Sequence, residues 1–167
     1  PAPAGGGIVV RRPDLAGKPE IPARLTEVEA VERRTAIGHG AATIHTVEHL
    51  LAAVAAHGID DLTVELTGPE PPILDGSVQP YFDALSRAEP TTVGGEAVVL
   101  SVQAPFTVTD KDATYVVAPD KCFRLTVTIE WPHPLIGTQA GTYEVTPERF
   151  AAELAPARTF GFTHEVA

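Results

Sequence analysis

The chain has little that could staple it or anchor it. Its 167 residues include one cysteine, Cys122, so no disulfide can form within the chain, and a reducing compartment suits it. Methionine is absent, and tryptophan occurs once, at Trp131. No run of about 18 apolar residues exists, and the N-terminus lacks the basic-then-apolar pattern of a secretory signal. Stable membrane insertion is therefore not expected, and a soluble cytoplasmic protein is. Positive charge is scarce: 12 Lys and Arg stand against 22 Asp and Glu, a net charge of −10. A nucleic-acid groove or an anionic membrane surface demands a basic patch, so neither partner is expected. One or two local cations would still suffice for a substrate carrying phosphates.

The rest of the composition is globular. Hydrophobic residues make up 44% and charged residues 20%, values that predict a proper core. The opening Pro1-Ala2-Pro3-Ala4-Gly5-Gly6-Gly7 is flexible by composition. With the missing methionine and an aromatic run that breaks off at Ala167, it makes the sequence read as a piece of a longer protein.

Short strands are predicted at residues 8–12, 21–25, 28–31 and 35–37. Thr46 then offers a hydroxyl to the free N–H groups of a helix start. Val47, Leu50, Leu51 and Val54 follow with the spacing of a core-facing stripe, and Gly58 supplies the stop. Leu62, Val64 and Leu66 alternate as in a half-buried strand. Gly68-Pro69-Glu70-Pro71-Pro72 excludes helix and central strand, and Asp75-Gly76 shapes a turn. Ser77 is positioned to cap a second helix through about residue 88, with Val78, Phe82 and Leu85 inward. Residues 90–95 form the best candidate boundary. Beyond them, strands are predicted at residues 97–102, 106–109, 114–117, 123–131 and 141–145. Thr146-Pro147-Glu148 opens a last helix as cap, proline at its first position and acid in its first turn. Several short strands plus helix in each half is an α+β pattern of sheet-plus-helix layers. The expected domains are residues 1–92 and 93–167.

The chemistry of interest lies where the first helix begins. Glu48 and His49 sit side by side in an otherwise apolar stretch, and an acid is costly to bury without a partner. His49 could be a core histidine bonded to a carbonyl. His45-Thr46-Val47-Glu48-His49 also fits the H-x-x-E-H pattern of inverted zinc peptidases. That reading needs a helix starting before His45 and a further carboxylate on a long following helix, whereas Gly58 and a strand follow. Spacing alone leaves these alternatives open, together with that of a degenerate, non-catalytic binding domain.

The run Thr46-Val47-Glu48-His49-Leu50-Leu51-Ala52-Ala53 is followed by Gly58-Ile59-Asp60-Asp61-Leu62, Gly68-Pro69-Glu70 and Pro72-Ile73-Leu74-Asp75-Gly76-Ser77. In that order these motifs resemble the UDP-3-O-acyl-N-acetylglucosamine deacetylases, the zinc enzymes of bacterial lipid A synthesis. Arg11-Arg12-Pro13-Asp14-Leu15, Trp131-Pro132-His133-Pro134-Leu135-Ile136-Gly137 and Ala157-Arg158-Thr159-Phe160-Gly161-Phe162 extend the similarity nearly end to end.

The resemblance implies a role for each matching residue. His49 matches the family's first zinc ligand, and Glu48 its general base, acting on a metal-activated water. Thr159 matches a threonine whose hydroxyl stabilises the oxyanion; otherwise it reads as a helix-end hydroxyl. Phe160 and Phe162 match aromatics lining the substrate site, although core packing explains them equally well; Trp131 matches one that stacks on uracil, although a lone Trp ending a strand is more often core. The implied substrate is a UDP-linked acylated amino sugar, and a monomer is expected at full length. The family's remaining zinc ligands, a second His and an Asp, are expected beyond Ala167, since neither His133 nor His164 matches a ligand position. The family's opening strands and the later half of its second domain are likewise missing, so the chain by itself is expected to be inactive.

Overall fold

The computed structural model describes residues 2–29, 31–97 and 99–162. They form an α+β structure of two compact units, one drawn from Pro1–Glu96 and Phe150–Ala167, the other from Ala97–Arg149. The first unit holds a mixed three-stranded sheet in the order β2-β1-β5. Strand β1 (Ile8–Arg11) runs antiparallel to β2 (Glu20–Pro22) and parallel to β5 (Leu62–Glu65). Parallel neighbours need a long crossover, and α1 (Glu48–Ala56) lies within it. A second two-stranded ladder joins β3 (Val28–Glu29) to β4 (Ala36–Ile37).

The core gathers Val10, Ile21, Ile37, Ile44 and Val47, with Leu51, Val64 and Leu66 packed against it. It therefore joins the sheet, β4 and the start of α1. The alanines of α1 favour helix intrinsically and allow close approach; Ala53 is fully buried, and the helix packs against α2 (Gln79–Arg87). His57 ties the two helices, its Nε2 lying 3.0 Å from the Phe82 carbonyl oxygen. Gly58 ends α1 as expected, at φ +62°. The Gly58 and Ile59 N–H groups donate back to the carbonyls of Ala55 (3.0 Å) and Val54 (3.2 Å), the paired bonds of a Schellman stop. Open space surrounds the position of an added Cβ. Gly58→Ala is thus expected to lower stability by about 1 kcal/mol through its backbone alone, read as a lower urea midpoint with unchanged slope.

Several local expectations give way to longer-range contacts. Residues 2–7 are anchored: the Gly5 and Gly7 N–H groups donate to the two Asp61 carboxylate oxygens at 3.0 and 2.7 Å. The strand expected at residues 21–25 stops at Pro22, and Leu25–Glu27 forms a 3-10 turn with Leu25 on the surface. Ser77 does not cap α2. Its hydroxyl donates to Asp75, and Val78 occupies the cap position. Residues 97 and 99–102 are not strand, and Val98 lies outside the described residues.

The second unit contains two hairpins. Strand β6 (Phe106–Asp110) pairs with β7 (Ala113–Val117), and β8 (Arg124–Trp131) pairs with β9 (Gly137–Glu144). The last helix starts as α3 (Pro147–Arg149) and widens into a π turn over Phe150–Leu154. Thr146 does cap it, its hydroxyl accepting from the Arg149 N–H at 3.3 Å. From Phe150 onward the chain groups with the first unit. The Phe150 ring stacks on Phe82 with centroids 5.8 Å apart, and the Ala155 carbonyl accepts from both Val78 and Gln79 N–H at 3.0 Å.

Candidate active site

Helix α1 begins one residue later than a Thr46 cap would place it. Thr46 sits at φ +53°, a left-handed conformation that a β-branched residue rarely adopts, and Val47 occupies the cap position with no side-chain bond. The cause is tertiary. The Val47 N–H donates to the Thr35 carbonyl at 3.3 Å, and the His45 N–H donates to the Pro69 carbonyl at 2.8 Å. The chain is thus held on both sides of Thr46, and the bend between the two bonds falls on that residue. Backbone strain of this kind collects where surrounding structure over-determines a site.

The same Thr35 backbone grips the catalytic candidate. Its N–H donates to Glu48 Oε2 at 3.0 Å. One carboxylate oxygen is thereby fixed, while Oε1 has no protein partner among the described residues. As an acid in the first turn, Glu48 also complements the positive end of the helix. Thr35 could not be found from sequence, where it reads only as the start of a short strand. A backbone N–H leaves no mark in the residue alphabet.

His49 is half-buried, and its Nδ1 is fully buried with no hydrogen-bond partner among the described residues. Such a nitrogen is costly to leave unmet. The core-histidine alternative required a bond to a carbonyl, and at Nδ1 there is none among the described residues. His45 Nδ1 is likewise buried and unpartnered. Because α1 starts at Glu48, however, His45 lies outside it, so His45 and His49 do not share a helix face as the peptidase pattern requires. Among the described residues no three His, Cys, Asp or Glu side chains gather as a metal site would need. Among the described residues the fit to zinc therefore extends to one candidate ligand, His49.

Thr159, Phe160 and Phe162 belong to the same unit as α1. The Thr159 N–H donates to the Gly76 carbonyl at 2.9 Å, and Ser77 forms a β-bridge with Arg158. The Phe160 and Phe162 rings meet edge to face, centroids 6.0 Å apart, and Phe160 is half exposed. Core packing thus does not account for Phe160. Trp131 ends β8 in the other unit, opposite Gly137, and remains partly exposed. In that unit the His133 Nδ1 accepts from the Leu135 N–H at 3.2 Å. His164 lies outside the described residues.

Comparison with known proteins agrees over the whole sequence. The family described as UDP-3-O-acyl N-acetylglycosamine deacetylase matches residues 1–167. A protein of Thermosynechococcus vestitus named UDP-3-O-acyl-N-acetylglucosamine deacetylase is 42% identical over 168 residues, covering 99% of this chain and 58% of its own length. Proteins of the same name from Citrifermentans bemidjiense and Synechocystis sp. are each 39% identical, again over 99% of this chain, and over 54% and 61% of their own lengths. The chain thus spans little more than half the length of these curated relatives. It belongs to the UDP-3-O-acyl-N-acetylglucosamine deacetylase family.

Proposed function

We propose that this chain carries the proton-handling part of a zinc-dependent amide hydrolase that removes the N-acetyl group from UDP-3-O-(3-hydroxyacyl)-N-acetylglucosamine, in the cytoplasm, for lipid A biosynthesis. The observation that carries the reading is the pair at the start of α1. Glu48 has one oxygen fixed by Thr35, and the adjacent His49 has a buried, unmet Nδ1. His49 would hold a zinc ion together with ligands contributed elsewhere in the full-length protein, and the metal would supply a Lewis acid to polarise an amide carbonyl and acidify water.

Each residue then has a defined task. Glu48 Oε1 accepts the proton of the attacking water and returns it to the departing amine nitrogen, so one carboxylate serves as base and then acid. The Thr35 N–H keeps Oε2 in place, which leaves one oxygen to exchange protons. The Thr159 hydroxyl donates to the oxygen that gains negative charge as water adds to the carbonyl. Phe160 and Phe162 present an aromatic wall to the sugar and its acyl chain, and Trp131 stacks on uracil. A monomer is the expected working state.

The test is acetate release by the full-length protein. Chelation should abolish it and added zinc restore it. His49→Ala should weaken zinc binding, read by calorimetry, more than the roughly 10- to 100-fold typical of losing a supporting residue around a metal. Acetate release that persists in the zinc-stripped protein would discard the reading. Peptide cleavage lost on His45→Ala would replace it with the peptidase.

A further inference from the structure

The segment carrying Thr159 is held at two adjacent residues, Arg158 and Thr159, by a single turn, and one side chain in that turn both shapes it and faces Arg158. The turn Ile73–Ser77 closes with the Gly76 N–H donating to the Ile73 carbonyl at 3.0 Å. Leu74 at φ +54° and Gly76 at φ +82° both take left-handed conformations within it. Asp75 holds this shape from inside: its Oδ1 accepts from the Ser77 N–H at 3.1 Å and from the Ser77 hydroxyl at 2.7 Å. Ser77 is 1% exposed, so these bonds anchor the turn in the body of the unit.

The C-terminal end of the turn then reaches the segment after the last helix. The Gly76 carbonyl accepts the Thr159 N–H, and Ser77 bridges to Arg158. A Cβ on Gly76 would stand 3.5 Å from the Thr159 Cγ2 and 3.9 Å from the Thr159 carbonyl oxygen, so the two residues lie close. On its other side, Asp75 Oδ2 faces Arg158 Nη2 at 3.5 Å. One carboxylate oxygen therefore shapes the turn that grips Thr159, while the other steadies the residue before it. Hydrogen bonds from Ser77, then the Arg158 charge, hold the Asp75 carboxyl below the usual carboxylate range, so it is ionised near neutral pH. The Thr159 hydroxyl, by contrast, has no partner among the described residues and is free for a substrate.

We propose that Asp75 is a positioning residue for Thr159, using the Gly76–Ser77 turn and Arg158 to aim the threonine hydroxyl at the substrate. This rests on the oxyanion role given to Thr159 above. Losing Asp75 should not detach the segment. Ala155 stays held by the Val78 and Gln79 N–H groups, and Phe150 stays stacked on Phe82. What is lost is aim, and small displacements at a reacting centre are costly in rate.

The experiment is a double-mutant cycle in the full-length protein, with kcat and KM measured for acetate release. Asp75→Ala should lower kcat on the order of tenfold with KM within about twofold. Asp75→Asn, whose side-chain carbonyl can still accept from Ser77, should recover most of that loss. In a Thr159→Ala background, Asp75→Ala should cost almost nothing more. Equal losses from Asp75→Ala in both backgrounds, or an Asp75→Ala protein with parental kcat, would overturn the positioning role alone. Parental kcat in Thr159→Ala itself would overturn the oxyanion role and this proposal together. Should Asp75→Ala fail to fold, the exposed Arg158→Ala carries the same cycle, with a smaller loss of kcat that again disappears in the Thr159→Ala background.

Discussion

Glu48→Gln in the full-length protein is expected to lower kcat by roughly a hundredfold or more while zinc content stays at the parental level. The substitution is chosen for what it leaves alone. Glutamine has the shape of glutamate, and its side-chain carbonyl can accept the Thr35 N–H bond that now ends on Glu48 Oε2. The start of α1 should therefore persist, His49 should keep its place, and only the capacity to accept a proton disappears. Steady-state kinetics paired with zinc analysis separates the outcomes. A slow protein with full zinc places the defect in proton transfer. A slow protein without zinc would mean that Glu48 supports the metal instead, and an unchanged kcat would remove it from the mechanism.

Ile44→Ala is expected to cost about 2–5 kcal/mol, the range for emptying a buried aliphatic site. Ile44 is fully buried and joins Ile37 through both backbone bonds, at 2.9 and 2.8 Å. The truncation leaves those bonds intact but opens a cavity among Val10, Ile21, Ile37 and Val47. Val47 carries the first intrahelical acceptor of α1, its carbonyl taking the Leu51 N–H at 2.9 Å, so the cavity lies against the start of that helix. Urea unfolding should show a lower midpoint with the same slope. Val28→Ala, at an exposed position of β3, should cost far less and serves as the control. Equal costs at the two positions would mean that the cluster is not the core.

The site was legible in uneven measure. Glu48 and His49 stand out because a neighbouring acid and imidazole in an apolar stretch demand a partner, and the flanking motifs carry the resemblance to the family. Asp75 was legible only as a turn-former. That it also faces Arg158 depends on chain some eighty residues later, which no local pattern connects to it. Thr35 was not legible at all, since the group that matters there is a backbone N–H.

Local pattern determined those features governed by neighbours along the chain. Gly58 stops α1 because a left-handed residue there needs no Cβ, Thr146 caps α3, and the alternation at residues 123–131 makes β8. Tertiary contact decided the rest. Thr46 and Ser77 have the right side chains to cap helices, yet neither does. Bonds from His45 to Pro69 and from Val47 to Thr35 set the backbone around Thr46, and Asp75 takes the Ser77 hydroxyl. Capping requires a particular backbone geometry as well as an oxygen; at Thr46 longer-range bonds settled that geometry first, and at Ser77 the hydroxyl is already engaged by Asp75 two residues back. A backbone bond from Thr35, thirteen residues upstream, holds one oxygen of Glu48, so the identity of the candidate pair is written locally and the aim of its carboxylate is not.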